Sequence, residues 1–176
     1  MSDDLDVNLN NVGVMSFLDS AVDDTDAVYS VPLVAMTAIF KLVGVTAGPK
    51  TITDKATKEQ VARPSVAFSM EIDEVVKIAP GSKDVPEDPE AAFKGRRLVE
   101  TIVQVGDMSD KEFLGRIKAF ITDMMGKSFS GTWAELFEEA KDSMFQGRIN
   151  LRPDRNDKNV FYPQIVRGKK GDIVAV

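Results

Sequence analysis

The sequence contains neither cysteine nor histidine among its 176 residues. This excludes thiolate and imidazole metal sites, cysteine or histidine nucleophiles, and disulfide bonds. The missing cysteines give no indication of secretion, and the amino terminus carries aspartates where a signal peptide would have basic residues. We therefore expect a cytoplasmic protein.

Only one apolar run approaches the length of a membrane span. Residues 28–45 read VYSVPLVAMTAIFKLVGV, and both Pro32 and Lys41 fall inside this run. Its β-branched and aromatic residues favour strands rather than a helix. We therefore expect no membrane association.

The net charge of −6 is distributed unevenly along the chain. Residues 144–176 hold seven Lys or Arg against three Asp, a local charge of +4, which leaves −10 on residues 1–143. Attraction of phosphate depends on the local field. A basic carboxyl-terminal part on an acidic chain is therefore compatible with nucleic-acid binding.

Composition divides the chain into three parts. Residues 1–27 hold seven aspartates and few apolar residues, which predicts a flexible acidic arm. This arm is either simply solvated or competes with nucleic acid for a basic surface. Residues 28–168, in a chain that is 43% hydrophobic, are long enough for one domain with an ordinary core, and residues 169–176 form a tail.

Alternation of apolar and polar residues predicts three strands in the first two thirds of the chain. Residues 28–46 form one long strand or two short ones before the Gly48-Pro49 turn signal, and the polar residues 47–63 are expected to form a loop. Residues 65–78 form the second strand, an acidic loop with prolines follows at 82–90, and residues 94–106 contain the third strand.

Two capping boxes predict a pair of helices. Ser109 followed by Glu112 opens the first helix, for which Gly126 is a plausible end. Thr132 followed by Glu135 opens the second. The aromatic residues of these helices, Trp133 included, are expected to lie in the core.

Residues 144–166 predict a β-hairpin with a basic tip. Apolar and polar residues alternate over 144–152, a turn-rich segment spans 153–159, and 160–166 resumes as a strand with Pro163 at an edge or bulge. Phe161 and Tyr162 are adjacent and must point to opposite faces. We therefore expect one of them in the core and the other, Tyr162, exposed.

The order of these elements predicts a fold that is mainly β with two helices. Three strands, a helix pair between strands 3 and 4, and two further strands match a five-stranded, OB-fold-like Greek-key barrel. Ligands of that fold lie across strands two and three, between the loops that join strands 1 to 2 and strands 4 to 5. Here those loops are residues 47–63 and 153–159.

The sequence also resembles the phage-encoded single-stranded DNA-binding proteins of the OB-fold type. The resemblance covers residues 29–167 and rests on YSVPLVAMTAIFKLVG, PSVAFSMEI, GRRLVETIVQVG and FQGRINLRPDRNDKNVFYPQI. It implies sequence-tolerant binding of single-stranded DNA in phage replication or recombination, in the host bacterial cytoplasm, without catalysis or a cofactor. Replication or recombination proteins are the implied protein partners, and a homo-oligomer is compatible with it.

Two features depart from this family. Strand two presents Ser65, Ala67 and Ser69 where a stacking aromatic residue would be expected, and the carboxyl terminus is not an acidic tail.

Binding a single strand requires cations for phosphates and aromatic faces for bases. The residues expected to supply them are Lys50, Lys55, Lys58, Arg63, Arg96, Arg97, Arg148, Arg152, Arg155, Lys158, Tyr162 and Arg167.

Three alternatives remain open at this level. The hairpin arginines would also serve only to keep an edge strand from aggregating. A structural or virion protein with a self-associating β-barrel would suit the apolar 28–45 run equally. A metal enzyme is disfavoured, because Asp154 and Asp157 beside Lys158 depart from the calcium-loop pattern and lack its glycine.

Overall fold

The computed structural model describes residues 32–54, 57–154, 157–167 and 169–176. The acidic arm expected over residues 1–27 lies outside these described residues. The elements of the described part are β1 (Met36–Thr53), β2 (Gln60–Ile78), α1 (Pro89–Phe93), β3 (Arg97–Val103), α2 (Asp110–Met125), α3 (Trp133–Ala140), β4 (Met144–Pro153), β5 (Phe161–Ile165) and β6 (Ile173–Ala175).

Strands β1 and β2 form a hairpin that is much longer than the sequence predicted. Their pairing continues to Thr53 opposite Gln60, so most of the expected loop at 47–63 is strand, and Gly48-Pro49 does not end β1. Toward the turn, over residues 44–53 of β1 and 60–63 of β2, the described strand pairings are between these two strands. Their polar sequence reflects exposure, while the backbone groups are satisfied across the ribbon.

All pairings in the sheet are antiparallel, and the strand order is β3-β2-β1-β4-β5. The outer edge of β4 is shared, because β6 pairs with its first half and β5 with its second half. Residues 173–175, expected to belong to a tail, thus add a sixth strand to the sheet.

The structure confirms a mainly β fold with a helix pair between β3 and β4. The described residues form an open sheet of six strands rather than the five expected for an OB-fold-like barrel, and among them no ladder joins β3 to β5. A third helix, α1, lies at the end of the predicted acidic loop. Asp88 caps it by accepting a hydrogen bond from the Ala91 amide, and Pro89 is tolerated at its first turn.

The core lies between one face of the sheet and helices α2 and α3. The Phe68 ring on β2 meets the Phe120 ring on α2 edge to face, with centroids 4.9 Å apart, and Phe40 stacks on Phe145 between β1 and β4. Both helices begin where the capping boxes predicted, and Gly126 ends α2 in the left-handed conformation with φ 67°. The other face of the sheet is left exposed to solvent; we call it the outer face.

Within the described ranges, the structure contains no helix that is both long and apolar enough to cross a membrane. From Met36 onward, the apolar run that raised this question is the strand β1.

Candidate nucleic-acid interface

Strict alternation along β4 sorts its side chains onto two faces. Phe145, Gly147 and Ile149 are buried, whereas Arg148 and Arg152 are exposed on the outer face. Arg152 lies directly opposite Tyr162 on β5. We call the outer surface of this hairpin the cationic face; its members are Arg148, Asn150, Arg152, Tyr162 and Gln164.

The cationic face is accessible and its arginines are available. Tyr162 is 55% exposed. Within the part of the chain that the structure describes, neither Arg148 nor Arg152 makes an ion pair. Both guanidinium groups can therefore donate hydrogen bonds to an anionic ligand.

The expectation that either Phe161 or Tyr162 is buried is wrong. Their side chains do point to opposite faces, but Phe161 is 53% exposed. In this hairpin Ile149 and Ile165 are the last buried pair, and residues closer to the turn are exposed or half-buried on both faces.

A further cation extends the cationic face across the sheet. Thr37 on β1 pairs with Arg148 on one side and with Lys77 on the other. With adjacent strands about 4.8 Å apart, the Cα atoms of Arg148 and Lys77 are about 10 Å apart. Sequence reasoning missed Lys77, because only the register of β1 with both neighbours brings these residues together.

The cations of the β1–β2 hairpin lie elsewhere. Lys50 pairs with Arg63 near the far end of β1, 13 residues beyond Thr37, or roughly 43 Å along the strand. Arg63 also has a carboxylate beside it, since its Nη2 lies 3.8 Å from Asp54 Oδ2. Lys58 is exposed in the turn of the hairpin. The structure thus separates this group from Arg148 and Arg152 along β1.

The arginines at the start of β3 lie in a charge-balanced region. Arg97 Nε is 3.6 Å from Glu71 Oε2, and Lys41 Nζ is 2.8 Å from Asp142 Oδ1. The hydrogen bond to Asp142 and its negative charge raise the pKa of Lys41, and the same contact lowers the pKa of Asp142. Arg96 is half-buried. This end of the outer face offers little net positive charge.

Arg167 is part of the fold rather than of the cationic face. Its Nε donates a hydrogen bond of 2.8 Å to Oε1 of Glu100, which is the single buried charged residue in the described ranges. Glu100 belongs to β3 and Arg167 follows β5 by two residues. Their ion pair therefore bridges the opening between β3 and β5, two strands that do not pair with each other.

The remaining predicted cations belong to the turns. Lys55 and Arg155 lie outside the described residues, and Lys158 is exposed in the β4–β5 turn. In that turn Asp154 accepts a hydrogen bond from the Asp157 amide, and Asp157 accepts one from the Asn159 amide. These carboxylates order the turn, and the described residues contain no cluster of carboxylates suited to a metal ion.

A second surface is an apolar groove between the β1–β2 hairpin and the helices. Trp133, expected in the core, is 37% exposed along this groove. The cavity volume of the groove is about 460 Å³. The lining residues are Ala47, Gly48, Pro49, Ala62, Arg63, Pro64, Ser65, Val66, Phe113, Leu114, Ile117, Trp133 and Phe137.

The cationic face and the apolar groove differ in chemistry. The first combines arginines with an exposed phenol ring, which suits an anionic partner with aromatic groups, whereas the second suits apolar side chains.

Comparison with known proteins adds no relative: no protein-family model, no curated protein and no solved structure matches this chain.

Proposed function

We propose that the chain binds single-stranded DNA on its cationic face, without catalysis and with tolerance of sequence, in phage DNA replication or recombination. The observation that carries this proposal is the cross-strand pair of Arg152 and Tyr162, with Arg148 on the same face of β4. It places positive charge and an aromatic ring side by side on an open surface.

The two residue types have complementary tasks. A guanidinium group binds phosphate through two parallel hydrogen bonds, and Arg148 and Arg152 are roughly 13 Å apart along β4. The Tyr162 ring can stack only on a base that is not already stacked within a duplex. Because every base has a π face, such stacking is sequence-tolerant.

The strand arrangement supports an OB-fold, the fold of the single-stranded DNA-binding proteins that the sequence resembles. β1 pairs with both β2 and β4, and β3 and β5 approach each other across the opening that Glu100 and Arg167 bridge. An OB-fold is itself a partly open Greek-key barrel of five strands. We infer that the sheet is such a barrel, open between β3 and β5 and extended by β6.

The direct test is a fluorescence anisotropy titration with labelled single-stranded DNA, duplex DNA and RNA over a range of salt concentrations. We expect single-stranded DNA to bind more tightly than the duplex. The logarithm of the binding constant should fall linearly with the logarithm of the salt concentration, by about 0.7 for each phosphate contacted. Affinity that is independent of salt, or that favours the duplex, would refute the proposal.

Removing the ring of Tyr162 should weaken this binding. We expect Tyr162→Ala to cost about 1–3 kcal/mol of binding free energy, measured in the same titration, whereas Tyr162→Phe should keep most of the affinity. Phe161→Ala is the matched control, because Phe161 is equally exposed on the opposite face of the hairpin. Equal losses for Tyr162→Ala and Phe161→Ala would show that Tyr162 does not stack on a base.

A further inference from the structure

The side chains of the outer face form rows that cross the sheet, and one row continues the cationic face onto β1 and β2. Thr37 on β1 pairs with Arg148 on β4 and with Lys77 on β2. Met36 and Ala38, on either side of Thr37, are buried, so Thr37 points to the outer face. Residues directly opposite in an antiparallel pair share a face. Two exposed cations therefore lie in this row, with one small side chain between them.

Lys77 is available to a ligand. Its side chain is exposed, and within the described ranges it makes no ion pair. Its ammonium group is a compact charge on a flexible stem of four carbons. At roughly 10 Å from Arg148, as measured between Cα atoms, such a side chain can hold a second phosphate of a strand that Arg148 also contacts.

The next row on the outer face has the opposite charge. There Ile39 on β1 lies between Gln146 on β4 and Glu74 on β2. Glu74 is exposed, and among the described residues it has no cationic partner. The two rows are two residues apart along β1, or roughly 7 Å. A phosphate that moved from the Thr37 row to the Ile39 row would approach this carboxylate, which would repel it.

The positive charge also ends at Lys77 in the direction away from β4. Glu90 of α1 accepts a hydrogen bond of 2.7 Å from the Val75 amide, which places a carboxylate at the edge of β2. The segment that follows β2, residues 82–90, holds one lysine against four acidic residues. The path of positive charge that begins at Arg152 therefore ends at Lys77.

We propose that Lys77 binds a third phosphate, so that the bound strand follows β4 from Arg152 to Arg148 and then turns across β1 to Lys77. This inference rests on the function proposed above and deepens it. The two legs measure roughly 13 Å and 10 Å. They correspond to a short site, at the lower end of the range of about 4–16 nucleotides bound per OB fold. Glu74 keeps the strand on this path, because it repels phosphate from the neighbouring row.

The turn suits a single strand. Duplex DNA has a persistence length of about 50 nm, so it stays nearly straight over so short a site. A single strand can rotate about its backbone bonds and place different phosphates on Arg152, Arg148 and Lys77. The path therefore supports the expected preference for single-stranded DNA over the duplex.

Lys77→Ala tests the third contact in an anisotropy titration with labelled oligothymidylates of increasing length. We expect about tenfold weaker binding of oligonucleotides that reach Lys77, and a salt dependence shallower by about 0.7 in logarithmic slope. The shortest oligonucleotides, held by Arg148, Arg152 and Tyr162 alone, should bind the variant and the wild type equally. Lys77→Arg should keep the affinity. Lys111→Ala, which removes an exposed lysine of α2, is the matched control and should bind like the wild type.

Glu74→Gln tests the boundary of the path and should gain affinity. Removing a unit charge roughly 7 Å from the bound phosphate should tighten binding about two- to threefold at low salt. Glu138→Gln makes the same change of charge at an exposed position of α3, and it should bind like the wild type.

The failure of this path and the failure of the proposed function give different results. A wild-type protein that does not bind single-stranded DNA would overturn both. If the wild type binds, but Lys77→Ala matches Lys111→Ala for oligonucleotides of every length, or Glu74→Gln matches Glu138→Gln, the path is wrong while the cationic face remains the binding site.

Discussion

Replacing Arg148 and Arg152 with glutamate is expected to weaken binding of a single-stranded oligonucleotide by at least about 100-fold. A hydrogen bond to a charged group contributes about 1.5–3 kcal/mol, so loss of two phosphate contacts costs roughly 3 kcal/mol or more. Each glutamate also repels phosphate. Fluorescence anisotropy at low salt measures the loss, and the salt dependence of the remaining binding should become shallower by about 1.4 in logarithmic slope.

The matched control replaces two lysines on the other side of the sheet with glutamate. Lys111 and Lys118 are exposed on α2, which packs against the inner face of the sheet, and their replacement by glutamate changes the net charge by the same amount. We expect this control to bind within a few-fold of the wild type. Similar losses in both double variants would mean that overall charge, rather than the cationic face, determines affinity.

Replacing Arg167, whose guanidinium group bridges β3 and β5, should lower the free energy of unfolding. In Arg167→Met the carboxylate of Glu100, 5% exposed, loses its charged partner. Breaking a buried pair in this way costs about 3–5 kcal/mol; because the Arg167 side chain is 30% exposed and water can partly replace it, we expect about 3 kcal/mol. Urea denaturation measures the change in the free energy of unfolding.

A double variant isolates the cause of that loss. Glu100→Leu combined with Arg167→Met removes both charges, and we expect it to regain most of the lost stability, since an apolar pair avoids the cost of burying a charge. Oligonucleotide affinity should stay close to that of the wild type in the double variant, because Arg167 is not on the cationic face. A large loss of affinity without a loss of stability would instead assign Arg167 to DNA binding.

Local patterns in the sequence were sufficient for local structure. The capping residues Ser109 and Thr132 fixed where α2 and α3 begin, because their side chains satisfy backbone amides within the same turn. Alternation along β4 placed Arg148 and Arg152 on one face, since successive side chains of a strand point to opposite sides. These features depend only on neighbours along the chain.

Composition predicted the wrong structure where strand pairing or burial depends on other parts of the chain. Residues 47–63 looked like a loop, yet most of them form the end of a long hairpin whose strands bond to each other. Trp133 and Phe161 looked like core residues from their chemistry, and both are exposed because none of the described elements covers them. Whether an apolar side chain is covered is decided by tertiary packing, which periodicity does not encode.

By itself, the sequence determined that this protein is mainly β, that two helices precede its last hairpin, and that this hairpin carries positive charge. Only the tertiary structure decided which cations share a surface. The register of β1 with its two neighbours places Lys77 near Arg148, and Arg167 pairs with Glu100 across the opening between β3 and β5. The physical reason is that side-chain direction is set within a few residues, whereas strand pairing joins residues far apart in sequence.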